Sequence, residues 1–283
     1  MKQKKEGKKK ESRAKKAAIS HLHWYKEAVT TLDKGFAMSV IFDFAYLITV
    51  FCLFILFMVI LKAILLPVAA ALQAMLGILG SMPATGEIGL PVQNALTEKA
   101  DTLLWFYGKL AALIIAGTAI FLGVTSFYKA FIWMHIKNLP LHNKYIFSFV
   151  SKNMTWQALW LALALLIFFA LSVNFAAAFL MIELAAYLYF TPFFRAVLTE
   201  KHKMKEVYKE TFVLGCKKFR HFIVPIIMMA ITLLFSLWLF IILVKLIVPA
   251  AMMLIGIVLI FVAVSWSRYY FYVVTQKIHQ PEG

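Results

Sequence analysis

Acidic side chains are scarce in this chain. It holds 13 Asp and Glu against 29 Lys and Arg, for a net charge of +16. Cysteine is nearly absent. Cys52 lies inside an apolar run and Cys216 in a basic segment, so they are expected at different depths with no disulfide between them. The recurring catalytic signatures are missing as well: there is no Walker A loop, no GxGxxG ahead of a helix, no HExxH and no GxSxG. Arg repeats of the voltage-sensor type and a TVGYG filter are also absent. No cleavable signal sequence is visible, because the first apolar run starts near residue 38 behind a charged tail. These absences remove the readings that usually assign a chemistry, and no enzymatic activity or cofactor is expected.

What is abundant is apolar sequence. Hydrophobic residues make up 63% of the 283 and charged ones only 15%, against about 45–50% and about 25% in soluble domains. The excess falls in runs of about eighteen residues or more, the length needed to cross a hydrocarbon core of about 30 Å. The expected fold is therefore an all-α, polytopic integral membrane protein with about six transmembrane helices.

Taken in order, residues 1–20 are a Lys-rich tail, read as disordered and cytoplasmic. Such a tail can bind RNA, but Met1–Lys16 has no interleaved aromatics, so no nucleic-acid partner is expected. Residues 21–275 form the membrane domain, with spans at about 38–66, 103–131, 156–172, 174–193, 222–243 and 250–274. Pro67 is expected to end the first span, and residues 68–80 to form an interfacial or re-entrant helix. The 67–102 stretch reads as an extracytoplasmic insertion, in which Ser81–Leu90 is loop and Thr97 caps the second span, with Glu98 and Asp101 in its first turn. The unbroken run from Trp156 to Phe190 is split at Ser172-Val173-Asn174; leaving it whole would make the span count odd. Residues 276–283 are a short polar end. The tail, the 135–155 connector, the 195–221 segment and the C-terminal end are basic, whereas the 67–102 stretch carries Glu87, Glu98 and Asp101 against Lys99 alone. By the positive-inside rule both termini are cytoplasmic in a cell membrane.

Lys201 to His221 is a basic, amphipathic elbow between apolar runs. Its Tyr208-Lys209-Glu210 and Lys217-Lys218-Phe219 match Tyr25-Lys26-Glu27 and Lys34-Gly35-Phe36 at equal spacing, and Lys144, Phe147 and Lys152 follow the spacing of Lys209, Phe212 and Lys217. The exits correspond too, in Thr125-Ser126-Phe127-Tyr128-Lys129-Ala130, Thr191-Pro192-Phe193-Phe194-Arg195-Ala196 and Trp266-Ser267-Arg268. Two readings account for this. One is three repeated units, each an elbow followed by a helical hairpin. The other is that inner-leaflet helix ends converge on aromatics and cations under the same rules.

Glu183, in the middle of the fourth span, is the candidate intramembrane site, because a carboxylate there is costly and turns to the bundle interior. Lys109 falls at a similar depth and could pair with it, and Asn174 is nearer the outer side. A buried structural pair is the competing reading. Asp43, one turn into the first span, is expected to meet an inner-leaflet basic residue. Lys62 and Lys245 snorkel. Lys129, Arg195, Lys209, Lys217, Lys218, Arg220 and Arg268 are read as inner-leaflet residues facing anionic lipid headgroups. Gly108, Ala112, Ala116, Ala119 and Gly123 form a small-residue face suited to close helix packing. The scattered histidines, among them His21 and His23, lack a third ligand at useful spacing, so no metal is expected. The leading functional expectation is a non-enzymatic protein that interacts with lipids or other membrane components. A transporter of small solutes or lipids using Glu183 is the alternative, and an intramembrane enzyme ranks last. Oligomers and other membrane subunits stay open as partners.

Overall fold

In a computed structural model the described residues are 23–26, 28, 30, 34–80, 90–140, 142–199, 203–246 and 249–279. The tail at 1–20, His21, most of the 81–90 loop and the last four residues lie outside them. The described chain is helical throughout, in the order α1 (Lys34–Gly80), α2 (Leu90–Ile136), α3 (Asn143–Ala170), α4 (Val173–Val197), α5 (Met204–Phe212), a π-helical turn (Val213–Lys217), α6 (Phe219–Leu246) and α7 (Pro249–His279). Six of the described helices are long and apolar enough to cross a membrane. This is the all-α multi-span architecture that the hydropathy pattern predicts.

The boundaries follow local chemistry, with two departures. α1 does not stop at Pro67 but runs through it to Gly80. Proline removes one backbone donor yet leaves the rest of the ladder intact, and a helix in lipid has no better place for its other backbone groups. Residues 68–80 are thus a continuation of α1. α2 begins at Leu90 with Pro91 in its first turn, well ahead of Thr97, which suits a residue lacking an N–H where that N–H has no helical partner. The break near residue 172 holds: α3 ends at Ala170, Leu171 is extended, and α4 starts at Val173. The side chain of His142 accepts a hydrogen bond from the Lys144 N–H at the start of α3. α7 starts on Pro249, as its position after Lys245 suggests.

The chain divides into two compact units, one of residues 1–45 and 125–283, the other of residues 46–124. In the first unit α6 pairs with α7 and α3 with α4, and α5 packs on α4. Its core is aromatic: Trp133, Phe149, Trp156, Phe193, Phe194, Phe222 and Tyr270 are fully buried. Trp156 stacks on Phe194 with centroids 4.6 Å apart, and Phe193 meets Phe222 and Phe271 edge-on. Rings interlock in these offset and edge-to-face arrangements. Two glycines permit close approaches. A Cβ on Gly215 would stand 2.6 Å from the Phe190 ring, beside the 2.7 Å hydrogen bond that the Tyr189 hydroxyl donates to the Gly215 carbonyl. A Cβ on Gly256 would overlap the Phe240 ring, across the α6–α7 hairpin.

The second unit, from Tyr46 to Val124, is the body of the α1–α2 hairpin. There the two glycines of the small-residue face have open space beside them. A methyl group added at Gly108 or Gly123 would have no neighbour within 4 Å, and only Gly117, off that face, comes close to another side chain, with the Phe57 ring 3.4 Å from its Cβ position. Large rings and branched side chains such as Phe54, Phe57 and Ile60 line the space between the helices.

Gly256→Val places branched carbon where the Phe240 ring lies and should destabilise the protein by about 1–3 kcal/mol, as overpacking does. Thermal unfolding in detergent checks this, and Phe240→Ala in the same chain should recover part of the loss.

Candidate functional site: a buried ion cluster and an apolar groove

In the first unit, polar residues gather in a buried cluster. Asp43 on α1 is 1% exposed. Its Oδ1 accepts from Lys129 Nζ at 3.3 Å, and its Oδ2 accepts from Ser265 Oγ at 2.7 Å and from Arg268 Nη1. Ser265 and Arg268 stand three residues apart on α7, which puts both on the face toward Asp43. A buried carboxylate in apolar surroundings requires opposite charge and donors at both oxygens, and this arrangement supplies them.

A second set continues the cluster. Arg195 Nε donates to Asn153 Oδ1 at 3.0 Å, Asn153 Nδ2 donates to Ser126 Oγ at 2.8 Å, and Ser126 Oγ donates to Gln157 Oε1 at 3.3 Å. Trp156 Nε1 donates to Thr191 Oγ1 at 3.1 Å. Ser126 and Lys129 are one helical step apart on α2, Asn153 and Gln157 one turn apart on α3, and Thr191 and Arg195 one turn apart on α4. Each helix therefore turns one short polar stripe inward.

Lysines also cap helix ends. Lys137 Nζ donates to the Leu198 carbonyl at 2.7 Å and Lys152 Nζ to the Thr199 carbonyl at 3.0 Å, both at the end of α4. Lys218 Nζ donates to the Ile278 carbonyl at 2.8 Å, at the end of α7. Carbonyls at a helix C-terminus lack donors and carry partial negative charge, so cations belong there. At the base of each hairpin, one contact thus ties its two ends: Lys129 to Asp43, Arg195 to Asn153, and Lys218 to Ile278.

Several placements differ from the sequence expectation. Lys129 does not face lipid; it is 7% exposed and bonded to Asp43. Arg268 and Arg195 turn inward to Asp43 and Asn153, and Lys218 caps α7. A cation at a helix exit satisfies the positive-inside pattern whether it points out or in, and pairing with a buried acceptor wins where one lies within reach. Lys209, Lys217 and Arg220 are exposed, on and after the amphipathic α5. That helix starts with its own clasp, the Lys203 N–H donating to Glu206 Oε2 at 3.0 Å. Asp43 meets basic residues as expected.

Glu183 is half-buried on α4 and Asn174 is exposed in the first turn of α4. Lys109 belongs to the other unit. Ser126 and Thr191 fall in the exit motifs with no role marked for them there, and no sequence motif singles out Asn153, Gln157 or Ser265. Their only signal is a polar residue at helical spacing from a neighbouring aromatic or cation. Among the described residues no three of His, Cys, Asp and Glu converge on a point that could hold a metal.

The second unit carries two adjoining hollows between α1 and α2. A groove of about 460 Å³ is lined only by apolar side chains, Gly117 and Thr118, from Val50–Ile60 on α1 and Leu113–Phe121 on α2. A cavity of about 550 Å³ adjoins it at Ile60 and continues past Pro67 on α1 and up to Asp101 on α2. Lys109 and Trp105 lie in its wall. Volumes of this size suit a small-molecule or single-chain ligand.

The six long apolar helices, and polar side chains turned inward between them, define a multi-pass helical membrane protein. Compared with protein-family models, curated proteins and solved structures, the chain matches none.

Replacing Asp43 by Ala leaves Lys129 and Arg268 in apolar surroundings without their carboxylate. A loss on the order of 3 kcal/mol is expected, the range seen when one partner of a buried pair is removed. Thermal unfolding of the detergent-purified protein reads it. Lys129→Met combined with Asp43→Asn should cost less than the two changes summed, because the residual charge goes with its partner.

Proposed function

We propose that the protein is a non-enzymatic, multi-pass membrane protein that binds lipid, with the α1–α2 hairpin as its lipid-binding element. The groove between Val50–Ile60 and Leu113–Phe121 carries this reading. It lies in the most hydrophobic helix pair of the chain, and apolar side chains make nearly all of its wall. A lipid chain lying there exchanges no hydrogen bonds with its host and gains close packing against fixed side chains, the interaction that remains when protein and solvent are equally apolar. The charged and amide side chains buried in the first unit are engaged with one another. That suits a scaffold and offers no acid–base pair open to a substrate.

The exposed Lys209, Lys217 and Arg220, with Phe212 and Phe219 also exposed, support contact with anionic headgroups: the rings enter the headgroup boundary and the cations reach phosphates. We place the protein in the cell membrane with both termini cytoplasmic, on the basic loop pattern.

Ala116→Trp fills the groove from α2. It should lower the lipid retained by the purified protein about tenfold, as read by native mass spectrometry, equal to about 1.4 kcal/mol. Unchanged retention with an intact fold would remove the groove from the reading. Topology has its own check. In a chain freed of Cys52 and Cys216, single cysteines at Glu87 and Lys205 should be labelled from opposite sides of the membrane. Glu183→Gln addresses the transport alternative: proton-linked flux in liposomes that disappears with this change would favour transport over simple binding.

A further inference from the structure

The groove continues into the cavity whose wall includes Asp101, Trp105 and Lys109 on α2 and Ala63 and Pro67 on α1. We infer that this cavity is a headgroup site for a zwitterionic phospholipid, one with an ammonium beyond its phosphate. The inference rests on the groove being a lipid site and adds which lipid it selects.

Asp101, Trp105 and Lys109 stand at i, i+4 and i+8, so they follow one face of α2 in file. All three belong to the cavity wall, and all three are exposed within it. Reading along α2 from Phe121 toward its N-terminus, the lining runs from the apolar stretch Phe121–Leu113 to the cation Lys109, the indole Trp105 and the carboxylate Asp101. A zwitterionic phospholipid has the same order of chemistry: acyl chain, phosphate, then ammonium. Side chains on a helix lean toward its N-terminus. The Lys109 amine therefore reaches from the apolar border toward Trp105, to the level where a phosphate would follow the glycerol.

The far end fits an ammonium in two ways. The Asp101 carboxylate supplies opposite charge. The indole of Trp105, 72% exposed, offers a ring face to a cation. An anionic headgroup such as phosphoglycerol satisfies Lys109 but meets Asp101 with like charge.

The test uses the full chain in nanodiscs, with phosphatidylethanolamine, phosphatidylcholine and phosphatidylglycerol of identical acyl chains, and retention read by native mass spectrometry. Both zwitterionic lipids should be retained about tenfold over phosphatidylglycerol. Asp101→Asn should cut that preference to about twofold or less while leaving phosphatidylglycerol bound. Lys109→Gln should lower retention of all three. Both positions are exposed, so neither change threatens folding, and a matching thermal unfolding curve confirms it. If the wild type retains all three lipids equally, the headgroup assignment falls and the groove stands. If no lipid is retained, both fall. A preference that survives both substitutions places the headgroup elsewhere and overturns the assignment.

Discussion

A carboxylate buried among apolar helices must have its charge answered on the spot, and in this protein that necessity falls on Asp43. Two cations and a hydroxyl, from α2 and α7, converge on it. The geometry ties the first helix to the last and to the second, across more than two hundred residues of chain in the case of Arg268. Lipid gives helices little hydrophobic reason to prefer one neighbour over another. A charge that can be satisfied in one arrangement only supplies that preference. The Asn153 network does the same for α2, α3 and α4 with neutral groups and one guanidinium.

Around these polar contacts the aromatic core sets the spacing. Trp156 shows how the two kinds of interaction combine: its indole N–H is bound to Thr191 while its ring stacks on Phe194 from the same helix as that threonine. The hydrogen bond fixes the ring's rotation and the stack fixes its depth. The first unit is consequently specified in detail. The α1–α2 hairpin, whose helices face each other mainly through apolar side chains, leaves open space between them.

Much of this is legible in the sequence, and the reasons are physical. Span number and the break before Val173 follow from hydropathy over windows long enough to average out single residues. Asp43 is readable as an inner-leaflet partner for a base, since a lone carboxylate near a run of exit cations has few other options. The direction of those cations is not readable. Lys129 and Lys217 look alike in sequence, yet one is buried and the other exposed, because the outcome depends on whether another helix brings an acceptor. Glu183 and Lys109 match by depth alone, and depth leaves the azimuth around each helix undetermined. Pro67 misleads for a related reason: in water a proline ends most helices, but in lipid the alternative to a helix is unsatisfied backbone. Asp101 reads as part of a helix start that in fact lies further upstream, which hides its register with Trp105 and Lys109.

The helices also differ in length in a way that bears on the bilayer. α1 and α2 have 47 residues each, whereas α3 and α6 have 28, α4 has 25 and α7 has 31. At about 1.5 Å per residue a helix of that greater length is about 70 Å long, more than twice a hydrocarbon core of about 30 Å. Tilt absorbs only part of such an excess. Part of the α1–α2 hairpin therefore stands clear of the hydrocarbon, where side chains of a single helix pass from acyl chains through headgroups to water.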